Sequence, residues 1–142
     1  MSRILTEELV FLNSQVKTKE EAIQAAGELL VAGGRVEAPY VLGMLAREQT
    51  MSTMIGNGVA IPHGQNPDLK YIKETGISVL QIPEGVLWDE GELVYLVIGI
   101  AATMEEHIGI LQNLANVVDE IEQVEFLSKT NKKSDIINAL DA

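Results

Sequence analysis

With 142 residues, 46% of them hydrophobic and none a cysteine, the chain can bury one core without staples, and disulfides, thiolate nucleophiles and thiolate metal ligands are excluded. Twenty-one acids against 10 bases set a formal net charge of −11, a field that repels phosphate backbones and anionic lipid. Nucleic acid and membrane surfaces are therefore poor partners, whereas a basic protein would be steered towards the chain.

The first residues, "MSRILTEELVF", lack the charged start and apolar stretch of a signal peptide. A capping box, Thr18-Lys19-Glu20-Glu21, then opens an amphipathic helix with Ala22, Ile23, Ala26, Leu29 and Leu30 on one face and Gly33-Gly34 at its end. Pro39 starts a second helix, with Val41, Leu42 and Leu45 at helical spacing and Arg47 and Glu48 near its C-terminal end. "MSTMIGNGVAIPH" reads as extended and broken by turns, with "GVAI" a short buried strand. "GISVLQI" and "LVYLVIGI" are β-branched apolar runs suited to inner strands, and "PEGVLWDEGE" between them reads as a turn-rich connection. A second capping box at Thr103-Met104-Glu105-Glu106 starts a helix expected to turn Ile108, Leu111, Leu114, Ala115 and Val118 inward. "EQVEFLSKT" and "DIINALDA" give two shorter helices. Interleaved helices and apolar strands predict an α/β sandwich with helices on both faces of the sheet. No repeat, linker or membrane-length apolar run interrupts it, so one soluble, cytoplasmic domain over 1–142 is expected.

Only two histidines occur, and each sits at a punctuated place. His63 lies between Pro62, which biases Ile61 towards extended backbone, and Gly64, which permits a sharp turn. An imidazole is thereby presented at the end of a strand, where ligands of α/β proteins gather. His107 falls in the first turn of its helix, where the positive end of the dipole favours an anion and a neutral ring. Arg47 carries a planar fork of donors suited to phosphate oxygens. Each residue alone has an ordinary structural use: a carbonyl-bonded histidine, a solvent-facing histidine, a surface ion pair. Together they make a workable set for phosphoryl transfer to histidine without a metal or other cofactor. G-x-S-x-G, H-E-x-x-H and G-x-x-x-x-G-K-[ST] are all absent, which argues against a serine hydrolase, a zinc enzyme and a nucleotide donor.

"LAREQTMSTMIGNGVAIPHG", followed later by "MEEHIGIL", resembles enzyme IIA of the bacterial phosphotransferase system, and more narrowly the mannitol branch of its mannitol–fructose class. "TKEEAIQAAGELLVAGGRVEAPYV", "GISVLQIPEGV" and "YLVIGIAA" are similar to the same branch. The resemblance implies a three-layer α/β/α fold with a mixed central sheet. It also implies that phospho-HPr, a small histidine phosphocarrier, phosphorylates His63 through Nε2. The group then passes to a cysteine of enzyme IIB and on to the sugar, which the membrane subunit IIC imports. By position, His107 matches the second histidine of the site and Arg47 the arginine beside it; Asn57 and Glu48 lie within the same motif. Met54 stands where an aromatic residue is frequent, and Gln65 where a small hydroxyl residue is common. With no cysteine present, the IIB acceptor is expected on a separate chain. Two neighbouring readings also use His63: a regulatory, nitrogen-related IIA module acting by phosphorylation-dependent binding, and a fructose-specific IIA.

Overall fold

The two apolar runs become the long inner strands of a mixed sheet. The computed structural model describes residues 4–89 and 91–140. Its strands are β1 (Val10–Phe11), β2 (Met54–Gly56), β3 (Val59–Ala60), β4 (Gly76–Asp89) and β5 (Glu92–Ala101), in the order β1-β4-β5-β3-β2. β4 and β5 pair antiparallel, β1 and β3 flank them in parallel, and β2 returns antiparallel along β3. Among the described residues five helices pack around it: α1 (Lys19–Ala32), α2 (Pro39–Thr50), α3 (Met104–Val118), α4 (Ile121–Lys129) and α5 (Lys133–Leu140).

Side-chain alternation along β4 shows why both faces must be covered. Ser78 donates to the Ala26 carbonyl of α1 at 2.8 Å, whereas Gln81, three residues on, donates to the carbonyls of Leu127 and Thr130 at the end of α4. Odd spacing puts those two polar groups on opposite faces, each satisfied by a helix. The three-layer α/β/α arrangement follows.

The expected start and stop signals hold for α1. The Thr18 hydroxyl accepts from the Glu21 amide, the Glu21 carboxylate accepts from the Thr18 amide, and Gly34 leaves the helix at φ +75°. Pro39 is the first residue of α2. Four expectations are corrected. "PEGVLWDEGE" is not a connection: β4 runs through it to Asp89, so β4 and β5 form one long hairpin. Pro83 and Gly85 mislead because they occupy a break in the ladder between Gln81 and Val86, where a missing N–H leaves nothing unpaired. On α2 the inward face is Tyr40, Val41, Met44 and Glu48, and Leu42 is 71% exposed. On α3 the buried line is Ile110, Leu114 and Val118, while Ile108 and Ala115 face out. The second capping box is only half formed, since the Thr103 hydroxyl donates to Glu106 instead of accepting from an amide. Arg3, Glu90 and the last two residues of "DIINALDA" lie outside the described residues.

Candidate functional site

β3 and β5 run side by side in the same direction, so the chain leaves both at the same end of the sheet. The pairing continues past β3: the Ile100 amide donates to the Pro62 carbonyl at 3.0 Å, and His63 lies opposite Ile100. His63 is thus carried on a backbone still registered against the central sheet. From β5 the chain passes through Ala102 to Thr103, the N-cap of α3, and the His107 amide donates to the Thr103 carbonyl at 2.9 Å. His107 is in the first helical turn, as its spacing from Thr103 requires. Two residues 44 positions apart therefore meet, their ring centroids 5.0 Å apart and their planes perpendicular.

The rings share a hollow of about 560 Å³ whose wall also includes Tyr40, Arg47, Gln65 and Leu111. Arg47 comes from the last turn of α2, where its Nη1 donates to the Met51 carbonyl at 2.7 Å and holds the guanidinium in place. It is the one formally charged side chain in the wall among the described residues. In a chain of net charge −11, that cation lines the same hollow as the two imidazoles.

The geometry decides which imidazole nitrogen can react. His63 Nδ1 is 2.9 Å from the Ile61 carbonyl oxygen. A carbonyl only accepts, so Nδ1 carries the proton and Nε2 keeps its lone pair. Burial pushes the His63 pKa below the ordinary histidine value; the Ile61 bond opposes this, the Arg47 charge adds to it, and Glu48 opposes it again. His107 is lowered too, by burial and then by His63. Both rings are neutral at neutral pH. His63 keeps an unprotonated Nε2 lone pair, and His107 places a second imidazole 5.0 Å away.

The other two motif residues are elsewhere. Asn57, at φ +51°, and Gly58, at φ +81°, form the two-residue turn between β2 and β3, and Asn57 Nδ2 donates to the Val118 carbonyl at 2.7 Å. The "GNG" is a hairpin turn tied to the end of α3, and it is not in the wall of the hollow. Glu48 points into the core. Its carboxylate accepts from the Thr53 amide and hydroxyl and from Trp88 Nε1 at 3.1 Å, with Lys19 Nζ at 3.8 Å. It therefore acts on the hollow only through its field and the backbone it holds. Tyr40, which the sequence does not single out, is in the wall: it donates to the Ile100 carbonyl and accepts from the Gly64 amide. No local signal marks it, because both partners are distant in sequence. Among the described residues no group of three His, Asp or Glu side chains converges to hold a metal ion.

The family described as "Phosphoenolpyruvate-dependent sugar phosphotransferase system, EIIA 2" matches residues 3–142. The chain is 42% identical over 138 residues to the mannitol-specific phosphotransferase enzyme IIA component of Geobacillus stearothermophilus, covering 97% of this chain and 95% of that one. It is 43% identical over 125 residues to the multiphosphoryl transfer protein of Haemophilus influenzae, covering 88% of this chain and 25% of that one. The fold matches the crystal structure of IIA mannitol from Escherichia coli with a TM-score of 0.89 and 41% identity, over 96% of this chain and 98% of that one. The same TM-score, at 40% identity and 96% of each chain, relates it to the solution structure of enzyme IIAMTL from Escherichia coli in complex with phosphorylated enzyme IIBMTL. The residues that resembled enzyme IIA thus lie on its fold, and this chain belongs to the EIIA type 2 family of the phosphoenolpyruvate-dependent sugar phosphotransferase system.

Proposed function

We propose that the chain is a cytoplasmic phosphocarrier for mannitol uptake, a single IIA domain that takes a phosphoryl group from phospho-HPr on His63 and delivers it to a cysteine of enzyme IIB. IIB then supplies the sugar imported by the membrane subunit IIC. The observation that carries this reading is the hollow itself: a lone pair on His63 Nε2, a second imidazole at 5.0 Å and an arginine in one wall. No helix among the described residues is long and apolar enough to cross a membrane. Relatives that span the chain nearly end to end are named for mannitol, which sets that sugar ahead of fructose and ahead of a purely regulatory role.

In this reading the His63 Nε2 lone pair forms the N–P bond while the bond from phosphorus to the donor imidazole breaks, the electron pair returning to the donor. Transfer onward is the reverse at His63: the IIB thiolate forms an S–P bond and Nε2 recovers its lone pair. Charge spreads over the equatorial oxygens in the loose transition state, so the protein contributes chiefly by positioning and electrostatics. Arg47 supplies fixed N–H donors, and His107 supplies one more from its neutral ring.

Incubation with phospho-HPr, followed by mapping of the acid-labile phosphoryl group, tests the reading. Label is expected on His63 and absent in His63→Ala. Persistent labelling of that folded variant would falsify the site assignment.

A further inference from the structure

One hydroxyl ties the residue after His63 to the central sheet. Tyr40, in the first turn of α2, is only 2% exposed. Its hydroxyl donates to the Ile100 carbonyl at 2.7 Å and accepts from the Gly64 amide at 2.9 Å. Ile100 is the residue opposite His63 across the sheet, and Gly64 directly follows His63. The phenol therefore closes a bridge from β5 to the peptide on the far side of the reactive residue. Gly64 belongs to the same arrangement, because a Cβ there would stand 2.6 Å from Tyr40 Cε1. Further along, the Asp68 carboxylate packs on Gly43 of α2 and accepts from the Gln65 amide at 2.8 Å. Two consecutive amides after His63 are thus held, Gly64 by Tyr40 of α2 and Gln65 by Asp68, which itself packs on α2.

The hydroxyl has no proton to spare for a phosphoryl oxygen, since its single O–H is spent on Ile100. Burial pushes its pKa up to about 12, so it remains a donor at any physiological pH. Its contribution must therefore act through backbone position. Upstream of His63, Pro62 and the Ile100 amide fix the chain; downstream, the first anchor is the phenol on the turn-permitting Gly64, and the next is Asp68 on the Gln65 amide. Without the phenol bridge the His63–Gly64 peptide can rotate, and the His63 ring turns with it.

Building on the phosphocarrier reading, we propose that Tyr40 is a positioning residue for phosphoryl transfer: its hydroxyl pins the His63–Gly64 peptide to β5, so that Nδ1 keeps its bond to Ile61 and Nε2 stays aimed into the hollow. A purely structural tyrosine would lower stability and leave the chemistry of the folded protein alone. Tyr40→Phe keeps the ring and removes both hydrogen bonds, which separates the two cases. In ¹⁵N-detected NMR, His63 of the parent protein is expected as the Nδ1–H tautomer, and Tyr40→Phe as a mixture with the Nε2–H form. In rapid-quench assays with phospho-HPr, the maximal rate should fall roughly 10- to 100-fold, as misorientation costs, with the KM for the donor unchanged. A folded variant with the parent tautomer ratio, or with the parent maximal rate, overturns the proposal. Should Tyr40→Phe fail to fold, hydrogen exchange of the parent Gly64 amide decides. Strong protection supports the bridge, and free exchange removes it. A parent protein that takes no phosphate from phospho-HPr sinks the phosphocarrier reading, while the tautomer measurement still judges Tyr40.

Discussion

At the scale of single residues, the site rests on how two imidazoles are kept neutral and aimed. The Ile61 carbonyl fixes the proton of His63 on Nδ1, and partial burial opposes protonation of the other nitrogen. An NMR titration should therefore find both histidines titrating below their ordinary value of 6.5. Because the His63 charge is one of the two causes lowering His107, His107 should move back towards 6.5 in His63→Ala; an unmoved titration would show the rings uncoupled. His107→Ala should fold normally and slow transfer on the order of 100-fold, the usual effect of losing one preorganised donor. Unchanged kinetics would leave His107 as packing. Arg47→Lys should also be slow, because a point ammonium cannot reproduce a planar fork fixed by the Met51 carbonyl.

Elements explain why the remaining motif residues are there. Asn57 holds the left-handed first position of the β2–β3 turn and anchors that turn to the end of α3. Asn57→Ala should cost about 2 kcal/mol, from the left-handed backbone and one lost hydrogen bond, with the rate of His63 phosphorylation unaltered; urea unfolding and a labelling assay check the two halves. Glu48, near the end of α2, joins the start of α1, the segment before β2 and the β4–β5 hairpin through Lys19, Thr53 and Trp88. Glu48→Ala would leave buried donors without an acceptor, and a loss of about 3 kcal/mol is expected. A variant as stable as the parent would mean that water replaces the carboxylate. The turn residues "GNG" could be read from sequence as a break, yet their partner Val118 lies 61 positions away, and no local pattern points to it.

For the molecule as a whole, two histidines folded in the neutral state link stability to pH. Both have folded pKa values below 6.5, so under pH 6.5 the unfolded chain takes up protons that the folded chain refuses. Unfolding free energy should fall as pH drops from 6.5 and level off below the folded values. Urea titrations at pH 7.5 and 5.5 measure this, and the His63→Ala/His107→Ala double variant should lose that part of the slope.

Local chemistry in the chain was sufficient for several features. The Thr18 box, the Gly34 stop, Pro39, the inner strands and the punctuation around His63 depend on neighbours within a few residues, where propensity and capping act. The motif around His63, with the later His107, also carried the family. Other features depend on contacts between distant segments. The inward face of α2, the extension of β4 through Pro83, the Nδ1 proton of His63 and the bridging hydroxyl of Tyr40 each follow from a partner set by the fold. Hydrogen-bond partners and burial are properties of three-dimensional neighbours, so only the parallel packing of β3 against β5 could bring two ordinary histidines to 5.0 Å and make them a site.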